Sequence, residues 1–238
     1  MSSPALFSLL RLCSSNLPVG GYTFSQGMEY AIDAGWLKSR DDVYRWIVDY
    51  CDATLRQTEL PVLRQLYAAL NDGDEPQIDH INAEALALRE TKELLLADLS
   101  MGRALLRLMR DTQPRSDDFA IEEHSLPACF DAPELRGQES IAMITAFALA
   151  AHGSNIAQSD AAMGYAWTVV ENLVLAAAKL LPMGQTACQQ MLLELESDIQ
   201  HMVDASNDVA VDDIGQSLPG LAMASSQHEN QYSRLYRS

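Results

Sequence analysis

The sequence is poor in basic residues and in the residues that interrupt helices. Sixteen Lys and Arg face thirty-three Asp and Glu, which gives a formal charge of −17 at pH 7. Such a chain would repel a phosphate backbone, so we expect no nucleic acid ligand. Glycine and proline together supply 21 of the 238 residues, below the usual share of about 12%. Because Leu and Ala also far outnumber β-branched residues, and unbranched side chains lose little rotamer freedom on a helix, composition favours helices over sheets.

Paired cysteines and targeting segments are also missing. The N-terminal residues lack the charged start and long apolar centre of a signal peptide. The longest apolar run, residues 141–151, is far shorter than the ~20 residues that a membrane span needs. Reduced, buried thiols of a cytosolic protein best explain four widely spaced cysteines without a CxxC motif: Cys13, Cys51, Cys129 and Cys188. These absences predict a cytoplasmic protein without a membrane segment.

Motifs of catalysis and of phosphate or metal binding are missing as well. The chain has no P-loop, no GxGxxG after a predicted strand and no GxSxG. Its five histidines never form HxH or HExxH, so no local start for a metal site is present. The groups 122–124 (Glu-Glu-His) and His228-Glu229 are typical of solvated surface in an acidic chain. We therefore predict no catalytic, cofactor or metal residue, although a hydrolytic site assembled from distant residues stays open.

Helical periodicity is the dominant pattern that is present. Ser39 and Asp42 form a candidate capping box before an apolar stripe at helical spacing. Gly102 lies on a second stripe, where it indicates either a close helix contact or a merely tolerated glycine. Residues 111–136 carry three prolines and no periodicity, which predicts a surface loop. Helices are predicted over about 40–57, 60–70, 76–89, 91–110, 139–152, 163–181 and 188–202.

No segment alternates apolar and polar residues long enough to indicate a half-buried strand. We expect an all-α fold, a single helical bundle domain of roughly eight to ten helices over residues 1–204. Residues 205–238 lose periodicity and predict a flexible C-terminal tail. This tail nevertheless carries residue types that dominate interface hot spots: Tyr232, Arg234, Leu235, Tyr236 and Arg237.

Besides the C-terminal tail, a glycine-rich turn near the N-terminus is the second segment whose composition suggests a function. Within Leu17–Glu29, the pair Gly20 and Gly21 follows a proline, and such a turn reaches positive φ. Thr23 with Gln26 fits a capping box that opens the next helix. Tyr22 is thereby held on a rigid corner, where it either seals the core or is presented to a partner protein.

At these residues the sequence resembles the UreF family of urease accessory proteins. The segment LPVGGYTFSQGMEYAIDAGW is similar to the family signature, in which Pro-x-Gly-[Ser/Gly]-[Phe/Tyr] precedes Ser-x-Gly-Leu-Glu, and Met28 replaces the leucine. Three later stretches agree with the family and extend the match over nearly the whole chain: RETKELLLADLSMGRALLRLM, AAMGYAWTVVENLVLAAAKLLPMGQTACQQMLLEL and QYSRLYRS.

The resemblance implies an adaptor in the delivery of nickel to urease. Members of the family form homodimers, bind the accessory protein UreD (also called UreH) and through it recruit the GTPase UreG, which carries nickel. The assembly docks on apo-urease. In the family, an arginine near the C-terminus helps to build the surface that recruits UreG, and Arg234 occupies the matching position. The aromatic residue matching Tyr22 is implicated in the same step.

The predicted partner-binding residues are therefore Gly20, Gly21, Tyr22, Tyr232, Arg234, Leu235, Tyr236 and Arg237. Two function classes compete with the adaptor. One is a helical small-molecule-binding regulator, which would need a large apolar pocket and a specific ligand. The other is an unrecognised hydrolase, which would show turnover by the purified protein.

Overall fold

The computed structural model describes residues 2–112 and 140–237, and the described chain is built from helices. The first half holds six α-helices and one π-helical segment, Cys51–Glu59. The α-helices are α1 (Ser3–Leu12), α2 (Met28–Asp33), α3 (Arg40–Tyr50), α4 (Leu60–Asp72), α5 (Glu75–Ala87) and α6 (Lys92–Asp111). The second half holds α7 (Met143–Gly153), α8 (Gln158–Leu180), α9 (Gln185–Ser206) and α10 (Pro219–His228). The predicted all-α single bundle is confirmed.

Local sequence accounts for the helix ends. Ser39 Oγ accepts from the amide of Asp42, and the Asp42 carboxylate accepts from the amide of Ser39, so the predicted capping box is present. α4 ends at Asp72, and the following Gly73 adopts φ 68°, a left-handed conformation. Thr91 caps α6 by accepting from the amide of Leu94. These side chains satisfy amides that a helix leaves without internal partners.

One predicted helix differs from the observed one in its second half. The stretch over 40–57 begins as α3 but changes after Tyr50 to π-helical hydrogen bonding before α4 starts at Leu60. The spacing of apolar residues does not distinguish α-helical from π-helical geometry here, because the two segments follow each other without a break. The wider turn places Thr58 and Glu59 in the protein interior.

The core is centred on α7 and α8. Every residue from Met143 to Ala151 in α7 is buried. α6 crosses α7 closely at Gly102, where an added Cβ would lie 2.2 Å from the carbonyl oxygen of Ile141. Of the two readings of Gly102, the close helix contact is therefore correct.

Within the described ranges, α8 alone has the length and hydropathy of a membrane span, and 56% of its most apolar window is buried in the protein. Such burial is typical of the central helix of a bundle.

Two of the four cysteines, Cys51 and Cys188, are buried free thiols, and Cys13 is partly buried and also free. Cys129, the group 122–124, most of the predicted 111–136 loop and the first residue of the predicted 139–152 helix lie outside the described residues.

Residues 205–237 are more ordered in their contacts than the sequence predicts. The amide of Gly215 donates to the carbonyl of Gln57, and α10 packs against α2 and α6. These contacts join the range to the bundle, although its sequence has no apolar periodicity. The sequence of α10 shows no apolar periodicity, because only one residue of its buried face is large and apolar. That face consists of Leu221, Ala224, Ser225 and His228. The mobility of the tail stays a prediction.

Candidate functional site

The glycine-rich turn depends on both of its glycines. Gly20 adopts φ 77°, a left-handed conformation that glycine tolerates best. A Cβ added to Gly21 would lie 2.9 Å from Nδ2 of Asn172 on α8. The hydroxyl of Thr23 donates to the carbonyl of Gly20 at 2.7 Å and closes the turn. Tyr22 lies in the short 3₁₀ turn Gly21–Thr23, and only its backbone is described.

The start of α2 differs from the prediction. Thr23 and Gln26 do not form a capping box, because Gln26 and Gly27 adopt φ values of 52° and 74° and α2 begins only at Met28. The hydroxyl of Ser25 instead accepts from the amide of Glu29 at 3.3 Å. A Cβ on Gly27 would lie 3.2 Å from Cβ of Ala224, so this glycine admits α10 against α2.

Glu29 binds the C-terminal segment through its carboxylate. We call residues 229–237 the terminal segment. The amide of Leu235 donates to Oε1 of Glu29 at 2.6 Å, and the amide of Tyr236 donates to Oε2 at 2.8 Å. The Glu29 side chain is almost wholly buried. Hydrogen bonds to an ionised acceptor are stronger than neutral ones, so this carboxylate fixes the backbone of the terminal segment.

A second contact joins the terminal segment directly to the glycine-rich turn. The amide of Arg237 donates to the carbonyl of Thr23 at 2.9 Å. Tyr236 is buried, and its hydroxyl donates a long bond of 3.4 Å to the carbonyl of Ala176 on α8. Burial and the negative charge of Glu29 raise the pKa of Tyr236 to about 12. The two features that sequence analysis singled out, 215 positions apart between Tyr22 and Arg237, therefore form one site.

The predicted partner-binding residues divide into two groups at this site. Tyr232, Arg234, Leu235 and Arg237 are exposed, with Tyr232 fully so and Leu235 at 65%. Tyr236 faces inward and packs within the chain, so it supports the terminal segment in this arrangement. Partner binding by each of these residues stays a prediction.

His228 and Glu93 lie beneath the terminal segment. Nδ1 of His228 is 2.7 Å from Oε1 of Glu93, and Nε2 is 3.0 Å from Oε2 of Glu29. Nη1 of Arg234 lies 3.9 Å from Oε1 of Glu93. His228 is wholly buried, so the interpretation of His228-Glu229 as solvated surface is wrong for the histidine.

Sequence reasoning missed Glu29, Glu93 and His228 as site residues. Glu29 stands in the quoted signature and could have been found there. Glu93 and His228 are 135 positions apart, and neither has a distinctive local neighbourhood. Within residues 2–112 and 140–237, no group of three or more His, Cys, Asp or Glu is placed to hold a metal ion.

A cavity of about 110 Å³ lies between the glycine-rich turn, the π-helical segment, α6 and α8, and no residue of the terminal segment lines it. At its wall, Arg89 donates to Oε1 of Glu59 at 2.6 Å and to Oδ2 of Asp98 at 3.0 Å. Burial raises the pKa of Glu59, although Arg89 opposes the shift. The small-molecule alternative predicts an apolar pocket, whereas this cavity also has charged and hydroxyl side chains in its wall. Ligand binding there stays a prediction.

Comparison with known proteins agrees with the resemblance noted above. A family model described as UreF matches residues 37–196. A urease accessory protein UreF of Marinomonas sp. strain MWYL1 is 42% identical over 233 residues, covering 98% of this chain and 94% of that protein. Proteins with the same name from Teredinibacter turnerae and Pseudomonas putida are 40% and 37% identical, and cover 98% and 100% of this chain and 98% and 99% of their own lengths. The chain therefore belongs to the UreF family of urease accessory proteins and is not itself an enzyme.

Proposed function

We propose that this protein is a cytoplasmic adaptor in the maturation of the urease nickel centre. In this role it forms a homodimer, binds UreD (UreH), and through that complex recruits the GTPase UreG to apo-urease. It contributes binding surfaces, while GTP hydrolysis and metal transfer take place on its partners. No nucleic acid or membrane takes part.

One observation supports this proposal most directly: the signature turn and the terminal segment meet at the Thr23–Arg237 hydrogen bond. In this arrangement the amides of Leu235, Tyr236 and Arg237 bond the bundle and place the exposed side chains of Arg234 and Leu235 beside the signature turn. A pre-positioned anchor gives up less conformational entropy on binding than a free tail does. Aromatic and arginine side chains are also the types most often found at the energetic centre of an interface.

The charge of this surface indicates the chemistry of the partner. Arg234 and Arg237 are exposed cations on a chain whose net charge is −17. Charge complementarity speeds the encounter of two proteins and selects partners. We therefore expect the surface of the recruited complex that meets the terminal segment to be acidic.

The experiment that tests the proposal is capture of UreG by the complex of this protein with UreD. Arg234→Ala and truncation after Gln231 are expected to abolish capture while circular dichroism retains the helical signal. Truncation after Gln231 keeps His228. Removal of this buried residue would take away the histidine partner of Glu29 and Glu93.

Arg107→Ala is the matched control, since Arg107 is an exposed arginine on α6 outside the terminal segment. It should capture UreG as the unmodified protein does. Equal capture by Arg234→Ala and Arg107→Ala would refute the role of the terminal segment.

A further inference from the structure

The imidazole of His228 is enclosed by two carboxylates from different helices. Its Nε2 meets Glu29 of α2 and its Nδ1 meets Glu93 of α6, and no part of the ring is exposed. Ser225, one turn earlier on α10, also approaches Glu93 at 3.4 Å and Thr91 at 2.7 Å. The histidine therefore joins three helices at one buried point.

This arrangement requires a proton. An ionised carboxylate only accepts hydrogen bonds, and a neutral imidazole has one donor nitrogen, whereas an imidazolium has two. Both bonds form with ionised carboxylates only when His228 is a cation. A neutral His228 would leave two buried negative charges with one hydrogen bond between them and the ring, which is costly at low local dielectric.

Within residues 2–112 and 140–237, the charged groups seen around His228 include Glu29 from α2, Glu93 from α6 and Arg234 from the terminal segment. Arg234 reaches Glu93 only at 3.9 Å, and 42% of its side chain is exposed. Lys179 of α8 lies 5.6 Å from the centre of the Tyr236 ring, in contact with the terminal segment. The imidazolium is thus the buried cation that balances the pair of carboxylates.

The same Glu29 carboxylate that meets His228 also holds the amides of Leu235 and Tyr236. We infer that Glu29, His228 and Glu93 form a proton-dependent latch, in which the His228 cation keeps the terminal segment on α2 and so positions Arg234. The three side chains are positioning residues, and the role of the positioned arginine rests on the proposed function. Release of the terminal segment lets water reach both carboxylates once the histidine is neutral.

The direction of the pKa shift agrees with this geometry. Burial lowers the pKa of His228, but its hydrogen bonds to Glu93 and Glu29 and their charges outweigh burial, so the pKa is raised above its usual value of about 6.5. A group whose pKa is raised on folding stabilises the folded form fully below its unfolded pKa. That contribution disappears as the pH rises through the raised pKa. Docking of the terminal segment, which shares the Glu29 carboxylate with His228, should therefore be strongest where His228 is a cation and weaken as the pH rises through its raised pKa.

Nuclear magnetic resonance of the full chain tests the latch without any partner. The ring signals of His228 and the amide signals of Leu235 and Tyr236 are followed from pH 6 to pH 10. We expect both amides to leave their carboxylate-bonded positions with the same midpoint as the His228 ring. Amides that stay unchanged while His228 titrates would overturn the latch.

Substitution of His228 tests whether the positive charge of its ring is needed to dock the terminal segment. His228→Gln keeps a polar side chain without the cation, and its two amides should resemble those of the alkaline unmodified protein at every pH. His201→Gln is the control, because His201 lies at an exposed site on α9. In this variant the two amide signals should change with pH as they do in the unmodified protein. Retained docking in His228→Gln at pH 6 would also overturn the latch.

The UreG capture assay distinguishes this inference from the proposed function. If the amides follow His228 but docked protein never captures UreG, the latch stands and the proposed function fails. If UreG is captured but the amide signals do not change when His228 loses its charge, the proposed function stands and the latch fails.

Discussion

At the scale of single residues, Gly102 sets how closely two core helices approach. A Cβ at this position would lie 2.2 Å from the carbonyl oxygen of Ile141 and 2.9 Å from the carbonyl carbon of Ala142. Both neighbours are backbone atoms, so α6 would have to move. We expect Gly102→Ala to lower the free energy of unfolding by about 1–3 kcal/mol in urea denaturation. Gly220→Ala is the control, because nothing lies within 4 Å of its Cβ, and an unchanged Gly102→Ala would contradict the close contact.

Arg89 is a buried cation whose loss should destabilise the fold. Its guanidinium bonds Glu59 and Asp98, and the three side chains are only 12%, 6% and 5% exposed. Removing one partner of a buried ion pair leaves an uncompensated charge, so Arg89→Met should destabilise the fold by about 3–5 kcal/mol. Arg40→Met breaks a pair whose carboxylate, Glu194, is 51% exposed, and should cost about 1 kcal/mol or less. Chemical denaturation of both variants checks the difference, and similar small losses would argue against burial of the triad.

The residues that sequence analysis located and those it missed differ in how they act. Gly20, Gly21 and Arg234 belong to short stretches whose composition is unusual by itself. Glu93 acquires its role only by meeting His228 across 135 positions, and His228 meets Glu29 across 199 positions. Carboxylates and histidines in an acidic chain are ordinarily solvated, so no local pattern separates a buried pair from the many exposed ones.

At the scale of helices, several boundaries follow a capping side chain or a glycine, as at Ser39, Gly73 and Thr91. The Ser39–Asp42 box gives a direct test of one boundary, since Ser39 Oγ accepts from the amide of Asp42 at 3.2 Å. Ser39→Ala should lower the stability by about 1 kcal/mol. Ser100→Ala serves as the control, because Ser100 is exposed and bonds only a carbonyl within α6. Thermal denaturation of the two variants should show a lower midpoint for Ser39→Ala alone. Equal midpoints would show that the cap does not stabilise the fold.

Two helical features had no sequence signal. The π-helical turn after Tyr50 continues the apolar spacing of α3, and only hydrogen bonds in three dimensions distinguish it. α10 was missed because packing against α2 uses small residues: Ala224 meets Gly27, whose absent Cβ makes the approach possible. The pairing of two small residues far apart in sequence is a tertiary event that helical periodicity does not encode.

At the scale of the whole molecule, the surplus of acidic over basic residues has a measurable consequence. A charge of −17 on 238 residues keeps the chain soluble but makes the folded state repel itself. Added salt screens repulsion between exposed charges, with a Debye length that falls from about 30 Å at 0.01 M to about 10 Å at 0.1 M. The buried Arg89 and His228 clusters are screened far less. We therefore expect the Tm to rise when sodium chloride is raised from about 0.01 to 0.1 M at constant pH, as followed by circular dichroism. A Tm that falls with salt would show that attraction between opposite surface charges outweighs the net repulsion, and that self-repulsion does not limit the stability of this protein.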